Sequence, residues 1–216
     1  MVVISAATTD ELNVTGLSRK SVVLASTSAA RRTILEHAGL AVQIVPPQID
    51  EKEIKRSIQK NGLDVTTLAV TLAEKKAQSV TRRHAGVLVI GADQVLECGG
   101  EVFDKPYDLN TARTQLHTLS ARRHELVSAV CIIQDGELLW QTVDKARLWM
   151  RPLGEEFVES YLRAAGNTAL AGPGGYRVER LGVQLFQRIE GNHFTILGLP
   201  LLPLLDYLRT CGVLVV

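Results

Sequence analysis

The sequence predicts an α/β fold, and three observations support that prediction. Short apolar runs, typical of buried strands, alternate along the chain with segments of helical periodicity. Glycines directly follow several of those helical segments, as is common where a helix ends. The composition is 46% hydrophobic and 22% charged, which is ordinary for a globular chain and excludes wholesale disorder. With 216 residues, the chain is expected to form one large domain or two small lobes.

Strands are predicted over the apolar runs, at residues 21–25, 41–45, 87–91, 95–98, 101–103, 125–134, 137–150 and 184–189. Prolines 46 and 47 end the second of these runs. The dipeptides Gly99-Gly100 and Asp135-Gly136 are two-residue hairpin signals, so the strands on either side of each are expected to pair. The run VLVIG at residues 87–91 is the best candidate for a fully buried strand.

Helices are predicted where apolar residues recur every three or four positions, at residues 29–38, 51–61, 65–84, 109–119, 154–164 and 201–208. Gly39, Gly62 and Gly86 end the first three. The helix at residues 65–84 has the clearest buried face, formed by Val65, Leu68, Ala69, Leu72, Ala73, Ala77 and Val80.

Charge and cysteine usage exclude several classes of protein. Lys and Arg number 24 against 23 Asp and Glu, so the formal charge of +1 gives no electrostatic footprint for nucleic acid or an anionic membrane. Cys98, Cys131 and Cys211 show no CxxC pairing, which argues against a disulfide framework or a zinc site and suits a reducing compartment. No apolar run reaches the ~18 residues of a membrane-spanning helix.

The start of the chain lacks the basic region of a secretory signal. We interpret residues 1–20 as a polar leader and residues 21–212 as a single domain. The protein is therefore expected to be cytoplasmic.

Lys76 lies in the middle of the apolar face of the helix at residues 65–84. An unpaired buried charge is costly, so this position predicts either a partner or an anion in a cleft. The alternative is a lysine whose ammonium extends along the apolar surface into water.

Asp93 follows the apolar run VLVI and Gly91-Ala92. A carboxylate at the end of a buried strand lies where open α/β sheets bind their ligands. It could hold a divalent cation or accept the proton of an attacking water. The alternative is a turn aspartate that caps its own backbone.

Ser26, Thr27 and Ser28 precede the first helix, which carries Arg31 and Arg32 in its first turn. Hydroxyls, free amides and guanidinium groups at a helix N-terminus form a generic phosphate cradle. The alternative is simple serine capping with solvated arginines.

Other polar residues are weak signals individually. Lys105 precedes Pro106 in a loop, Asp50-Glu51 starts a helix, and His124 follows Ser120 in a connection where a histidine is more often a turn residue than a catalyst. Together with Asp93, they offer carboxylates for a metal and cations for a polyphosphate.

Taken together, these motifs resemble the Maf family of nucleoside triphosphate pyrophosphatases, from about residue 21 to residue 212. The ordered segments that resemble the family are LASTSAARRTILEHAGL, PQIDE, LAEKKAQSV, VIGADQVLECGGEVFDKP, ARTQLHTLSARRHELVSAV and GGYRVERLGVQLFQRIEGNHFTILGLPLLPLLDYLR. The resemblance implies a long, twisted, mixed sheet flanked by helices, with a cleft between two lobes. It implies hydrolysis of a nucleoside triphosphate to the monophosphate and diphosphate with Mg²⁺, Mn²⁺ or Co²⁺, by a protein that often forms a homodimer.

The resemblance also implies roles for individual residues. Asp93 would be the proton acceptor, Lys76 and Lys105 would be catalytic cations, and Glu51 with Asp93 would be metal-linked. The implied substrate-binding residues are Ser26, Ala30, Arg31, Gln94 and Glu179.

The chain departs from the family pattern at Ala29, Ala30, Lys75 and Ala121. At the three positions that govern base choice, Gln94 and Glu179 resemble the subfamily that hydrolyses 7-methyl-GTP, whereas Ala30 lacks the tryptophan that this subfamily often carries. Three alternatives remain open at this point: a dTTP/UTP pyrophosphatase, an enzyme of the related inosine-triphosphate type, and a non-catalytic regulator of septum formation.

Overall fold

A computed structural model of the protein describes residues 17–60, 62 and 64–216. Most of the chain forms one mixed sheet with helices on both faces. The strands are β1 (Val22–Ala25), β2 (Val42–Ile44), β3 (Val89–Cys98), β4 (Glu101–Phe103), β5 (Arg123–Gln134), β6 (Glu137–Met150) and β7 (Phe186–Glu190). The helices are α1 (Ala29–His37), α2 (Glu51–Lys60), α3 (Val65–Thr81), α4 (Leu109–Leu119), α5 (Glu155–Ala165), α6 (His193–Ile196) and α7 (Leu201–Thr210). Short 3₁₀ segments occur at Gly166–Leu170, Pro173–Gly175 and Leu181–Leu185.

The strand order is β2-β1-β3-β5-β6-β7, and β4 also pairs with β3. β1 is parallel to β2 and β3, and the remaining pairs are antiparallel. The predicted α/β class, with a mixed sheet flanked by helices, is therefore confirmed.

The apolar core of the described part of the chain consists of three clusters of buried residues. Two of them belong to one lobe of the molecule and the third belongs to a second lobe. In the first lobe α3 packs on one face of β1, β3 and β5, and α1 with α7 packs on the other face. In the second lobe α4 and α5 pack against the distal halves of β3, β5 and β6. We define these as lobe 1 and lobe 2. β3 and β5 contribute core residues to both.

The outer edge of β3 is open over a short stretch between the lobes. β1 pairs with β3 only as far as Gly91, and β4 begins to pair at Leu96. On its other side β3 pairs with β5 throughout the same stretch. Asp93 and Gln94 lie in this open stretch, at the junction of the lobes.

The sequence-based prediction of two strands at residues 87–91 and 95–98 is wrong. β3 is one continuous strand, so Asp93 lies inside a strand rather than at a strand end. Pairing with β5 over nine consecutive positions holds the polar residues in the extended conformation, which overrides their turn preference.

Other differences are smaller. α6 and the 3₁₀ segments were not predicted, because they are too short to show a periodicity. Ser18 is buried and pairs with Leu214, so the last part of the predicted leader contacts the C-terminal segment. The rest of that leader, residues 1–16, and the last residue of the predicted second helix, Asn61, lie outside the described residues. Among the described residues, no helix is both long enough and apolar enough to cross a membrane.

Candidate active site

A cleft with a volume of about 730 Å³ lies at the open stretch of β3, between the two lobes. The N-terminus of α1, the start of α2, the segment after β4 and the segment at residues 170–179 form its walls. Every site residue implied by the resemblance lies on this lining: Ser26, Ala30, Arg31, Glu51, Lys76, Asp93, Gln94, Lys105 and Glu179.

His124, one of the weaker sequence signals, does not line the cleft. It lies in β5 rather than in a turn, and it is only 1% exposed. Its Nε2 atom is 2.8 Å from the hydroxyl of Tyr176, which lines the cleft. Burial lowers the pKa of His124 to about 4, so this histidine is neutral near pH 7.

Lys76 is buried and forms two ion pairs at the floor of the cleft. Its Nζ atom lies 2.5 Å from Oδ1 of Asp93 and 2.9 Å from Oε1 of Glu51. Lys76 projects from the apolar face of α3, as the sequence spacing predicts. The alternative, an ammonium extended into water, is wrong because only 7% of the residue is exposed.

The close approach of α3 to β3 depends on Gly91. A Cβ atom at this position would lie 2.2 Å from the carbonyl oxygen of Ala73 and 2.8 Å from the Cβ of Ala77. Any larger residue would therefore push α3 away from the strand. Such a shift would move Lys76, on the same helix, away from Asp93.

The electrostatics of the cleft favour an anion. Burial raises the pKa of Glu51, but the charge and hydrogen bond of Lys76 and the charges of Lys55 and Lys105 outweigh burial and leave that pKa below its ordinary value. Burial, followed by the charges of Arg31 and Lys76, lowers the pKa of Lys105. A lysine whose pKa is lowered by burial and by neighbouring cations is typical of a site arranged for a negatively charged ligand.

The lining residues carry more positive than negative side chains. Six cationic residues face four carboxylates among the described lining residues: Arg31, Lys52, Lys55, Lys76, Lys105 and Arg177, against Glu51, Asp93, Asp104 and Glu179. The excess charge lies inside the cleft of a chain whose formal net charge is only +1. Such focused charge attracts an anionic substrate without making the whole surface basic.

Arg31 and Ser26 join the N-terminus of α1 to β3. The Nε atom of Arg31 donates to the carbonyl oxygen of Gly198 at 2.8 Å, and its Nη1 atom donates to the carbonyl oxygen of Ala92 at 2.8 Å. Nη1 also lies 3.4 Å from Oγ of Ser26, and Oγ of Ser28 caps α1. Arg31 is thus buried and held by backbone groups as well as lining the cleft.

Gln94 points to the opposite face of the sheet from Asp93. Its Nε2 atom donates to Oγ of Ser128 and to the carbonyl oxygens of Thr195 and Ile196, at 3.0, 3.0 and 3.1 Å. Three acceptors around one atom fix the orientation of the amide. The remaining polar atom of the side chain, Oε1, is an acceptor.

Glu179 is held at the cleft wall by Arg177. Its Oε1 atom lies 2.7 Å from Nε and 2.5 Å from Nη2 of Arg177. Both side chains are about a quarter exposed, so the carboxylate is accessible to a ligand while its position is restrained.

Sequence reasoning missed Lys55, which lines the cleft and forms an ion pair with Asp104 of the segment after β4. The spacing contained a signal, because Glu51 and Lys55 are four residues apart on α2 and so share one helix face. Its partner Asp104 is 49 residues away in the sequence, and no local pattern indicates that contact.

Among the described residues, no group of three or more His, Cys, Asp and Glu is arranged to hold a metal ion. Glu51 and Asp93 are the two carboxylates that converge on one point, where Nζ of Lys76 lies between them. Mg²⁺ is commonly bound through one or two carboxylates together with substrate phosphates and waters. Lys76 occupies the point between them, so a divalent cation held here would use the carboxylate oxygens that the ammonium does not contact.

The fold and the cleft define a class of protein: an α/β enzyme with a buried carboxylate–lysine pair in a cationic cleft, suited to a phosphorylated substrate. Comparison with known proteins narrows the class. The profile of the family described as Maf-like protein matches residues 21–211. The chain belongs to the Maf family.

Relatives of this chain cover nearly all of it. It is 47% identical to the nucleoside triphosphate pyrophosphatase of Hyphomonas neptunium over 90% of this chain and 98% of that protein. It is 46% identical to the 7-methyl-GTP pyrophosphatase of Mesorhizobium japonicum over 89% of this chain and 97% of that protein. It is 49% identical to the nucleoside triphosphate pyrophosphatase of Nitrobacter winogradskyi, over 87% and 92% respectively.

Proposed function

We propose that this protein hydrolyses a nucleoside triphosphate to the monophosphate and diphosphate, as a hydrolase acting on an acid anhydride. The observation that carries the proposal is the pair of Asp93 and Lys76 at the floor of a cationic cleft. The names of the relatives, nucleoside triphosphate pyrophosphatase and 7-methyl-GTP pyrophosphatase, support the same reaction.

Asp93 is the proposed proton acceptor. The oxygen of a water molecule attacks the α-phosphorus, its proton passes to the Asp93 carboxylate, and the bond to the leaving diphosphate breaks. The hydrogen bond from Lys76 orients the carboxylate toward the cleft. A proton acceptor must lie within hydrogen-bond reach of the water, so this fixed orientation contributes to catalysis.

The cations of the cleft have a different proposed role, which is to neutralise the charge of the substrate. Lys76, Lys105 and Arg31 lie around Asp93 and would offset the charge of the phosphates and of the leaving diphosphate. Phosphoryl transfer depends mainly on positioning and charge neutralisation, and it needs no covalent intermediate on the protein. Binding an anion would also relieve the mutual repulsion among these cations.

A divalent cation, Mg²⁺, Mn²⁺ or Co²⁺, is part of the proposal. Glu51 and Asp93 would hold it, jointly with the substrate phosphates. When bound, it would supply further charge neutralisation at the phosphates.

The proposed substrate has a guanine-type base, with 7-methyl-GTP preferred. Oε1 of Gln94 and the carboxylate of Glu179 are both acceptors at the cleft wall. Guanine presents adjacent N1–H and N2–H donors to such acceptors, whereas thymine and uracil present one N–H. The alternative is preference for dTTP and UTP.

A product assay tests the reaction. Wild-type protein is incubated with 7-methyl-GTP, GTP, dTTP and UTP in turn, each with Mg²⁺, Mn²⁺ or Co²⁺, in ¹⁸O-labelled water. We expect equal amounts of monophosphate and diphosphate, with the label in the monophosphate because water attacks the α-phosphorus. Release of orthophosphate, or label in the diphosphate, would contradict the proposal.

Glu179→Gln tests the base preference, with Arg177 left in place. The amide must present a donor as well as an acceptor, so kcat/KM for guanine-type triphosphates should fall on the order of 10²-fold relative to dTTP and UTP. The matched control is Glu156→Gln, an exposed glutamate of α5 that lines no cleft wall. A wild type that favours dTTP, or an unchanged ranking in Glu179→Gln, rejects the base assignment and leaves the reaction in place.

A further inference from the structure

A second cavity adjoins the cleft on the outer side of α1. It has a volume of about 580 Å³ and lies between α1 and the α6–α7 segment. We name it the α1–α7 groove. Its apolar lining includes Ile34, Phe194, Leu197, Leu201 and Leu205. The ring of His193 packs edge-to-face against Phe194 at 5.7 Å between centroids, which adds an aromatic surface.

The groove and the cleft share a wall. The residues that line both cavities are Ala29, Ala30, Arg177, Glu179 and Leu197. Two of the five are alanines, whose side chains end at Cβ. The two cavities are therefore separated only by short side chains where α1 begins. A larger side chain at Ala30 would raise the wall between the two cavities.

The charge distribution sets the direction in which a nucleotide lies in the cleft. Lys55, Lys76 and Lys105 line the cleft and do not line the groove; the groove has Arg177, which is paired with Glu179, and Arg180. We name the end of the cleft that these lysines line the lysine end. The phosphates of a nucleotide therefore belong at the lysine end, and its base belongs at the end that adjoins the groove. Glu179, the proposed acceptor for the base, lies on the shared wall.

The edge of guanine that meets Glu179 carries N1–H and the exocyclic amine. A substituent on that amine replaces one N–H and leaves the other to donate. The substituent would therefore project from the base at a point next to Glu179, where the wall of the cleft opens to the groove. This step rests on the proposed function, because it uses Glu179 as the acceptor for the base.

We propose that the α1–α7 groove is a subsite for an apolar substituent, such as an aromatic ring, on the exocyclic amine of a guanine nucleotide bound in the cleft. The apolar lining buries such a ring, and burial of apolar surface favours binding. Leu202, which is 55% exposed, lines the groove and not the cleft, and forms its outer part.

Binding and turnover of GTP and N2-benzyl-GTP test the proposal. Affinity is measured by calorimetry without a divalent cation, and kcat/KM is measured with Mg²⁺. For wild type we expect N2-benzyl-GTP to bind on the order of tenfold more tightly than GTP, since the ring is removed from water. Ala30→Trp should abolish this advantage, because the indole fills the passage between the cavities.

A second pair of variants tests the groove with substitutions at residues that do not line the cleft. Leu202→Asp places a charge in the groove and should reduce the ratio of the two affinities by at least threefold. Leu139→Asp is the matched control: Leu139 is an exposed leucine of β6 that lines neither cavity, and its substitution should leave the ratio unchanged.

The outcomes separate the two proposals. If N2-benzyl-GTP binds no more tightly than GTP to wild type, or if Ala30→Trp and Leu202→Asp both leave the ratio unchanged, the groove proposal is overturned. If no guanine nucleotide is hydrolysed, the proposed substrate class fails, and the affinity ratio still decides whether the groove receives the ring.

Discussion

At the scale of single residues, Lys76 links folding and chemistry. Its ammonium is buried in an otherwise apolar helix face, which is costly unless the charge is compensated. Asp93 and Glu51 supply that compensation, and all three groups line the cleft. The residue is therefore needed both for the ion-pair network and for the phosphates.

We expect Asp93→Asn to lower kcat by ~10²–10⁴-fold, because the amide keeps the shape of the carboxylate and cannot accept the proton. The melting temperature should change little, since Lys76 retains its ion pair with Glu51. Steady-state kinetics and a thermal melt check both statements. A variant with more than about half of the wild-type rate would show that another group activates the water.

Lys76→Met should abolish activity and also destabilise the fold by about 3–5 kcal/mol, because it leaves the buried Asp93 carboxylate without its partner. An apolar residue in an apolar face would stabilise the helix if Lys76 were unpaired, so the ion pair reverses the sign of the effect. The double variant Lys76→Met/Asp93→Asn removes both charges and should recover most of the stability but none of the activity. Denaturant unfolding measures the difference, and equal stability of the single and double variants would contradict this explanation.

At the scale of elements, the start of β5 supports the cleft wall through His124. This strand residue contacts Tyr176, and the rings of His124, Tyr176 and Phe186 pack together with centroid distances of 4.9 to 5.7 Å. Tyr176 immediately precedes Arg177, whose ion pair holds Glu179. The histidine thus supports a wall of the cleft without lining the cleft itself.

A pH-dependent stability follows from the lowered pKa of His124. Burial lowers this pKa from 6.5 to about 4, so folding favours the neutral ring. The resulting stability is present above pH 6.5 and is lost as the pH falls from 6.5 toward 4, by about 2 kcal/mol between pH 7 and pH 5. His124→Phe should remove this part of the pH dependence. Urea unfolding at the two pH values measures it, and an identical dependence in both proteins would refute the assignment.

Sequence reasoning finds the elements and much of the cleft for identifiable reasons. The rhythm of apolar residues around Lys76 is by itself enough to place its ammonium on the correct helix face. The contacts of Arg31 with Gly198 and of Lys55 with Asp104 span 167 and 49 residues, and no local pattern contains them. The continuity of β3 was missed because its pairing with β5, and not its own composition, holds Asp93 in a strand.

At the scale of the whole molecule, the charge is concentrated in one place. The net charge is +1, yet lysines from three separate segments line the same end of the cleft: Lys52, Lys55, Lys76 and Lys105. A focused positive field of this kind attracts an anionic substrate from a distance, and added salt shortens that distance by screening the charges.

We therefore expect kcat/KM to fall severalfold when KCl is raised from about 50 to about 300 mM, because the Debye length shortens over this range. The double variant Lys52→Gln/Lys55→Gln should flatten the dependence. Its matched control, Arg163→Gln/Arg209→Gln, removes two exposed charges that line neither cavity and should keep the wild-type slope. Equal slopes in both double variants would show that the lysine end of the cleft does not steer the substrate.

The continuity of β3 and β5 has a mechanical consequence. The two strands pair from Val89 with Ile133 to Glu97 with Glu125, and so run unbroken beneath the cleft from one lobe to the other. A paired, buried double strand resists bending, so we expect the lobes to share a stiff floor and not to swing about it as two bodies on a hinge would. The start of α2 is tied to Lys76 through Glu51, so we expect the cleft to widen for entry and release mainly at residues 170–179. The distance between Asp93 and the far wall can change while the position of Asp93 within the sheet stays fixed.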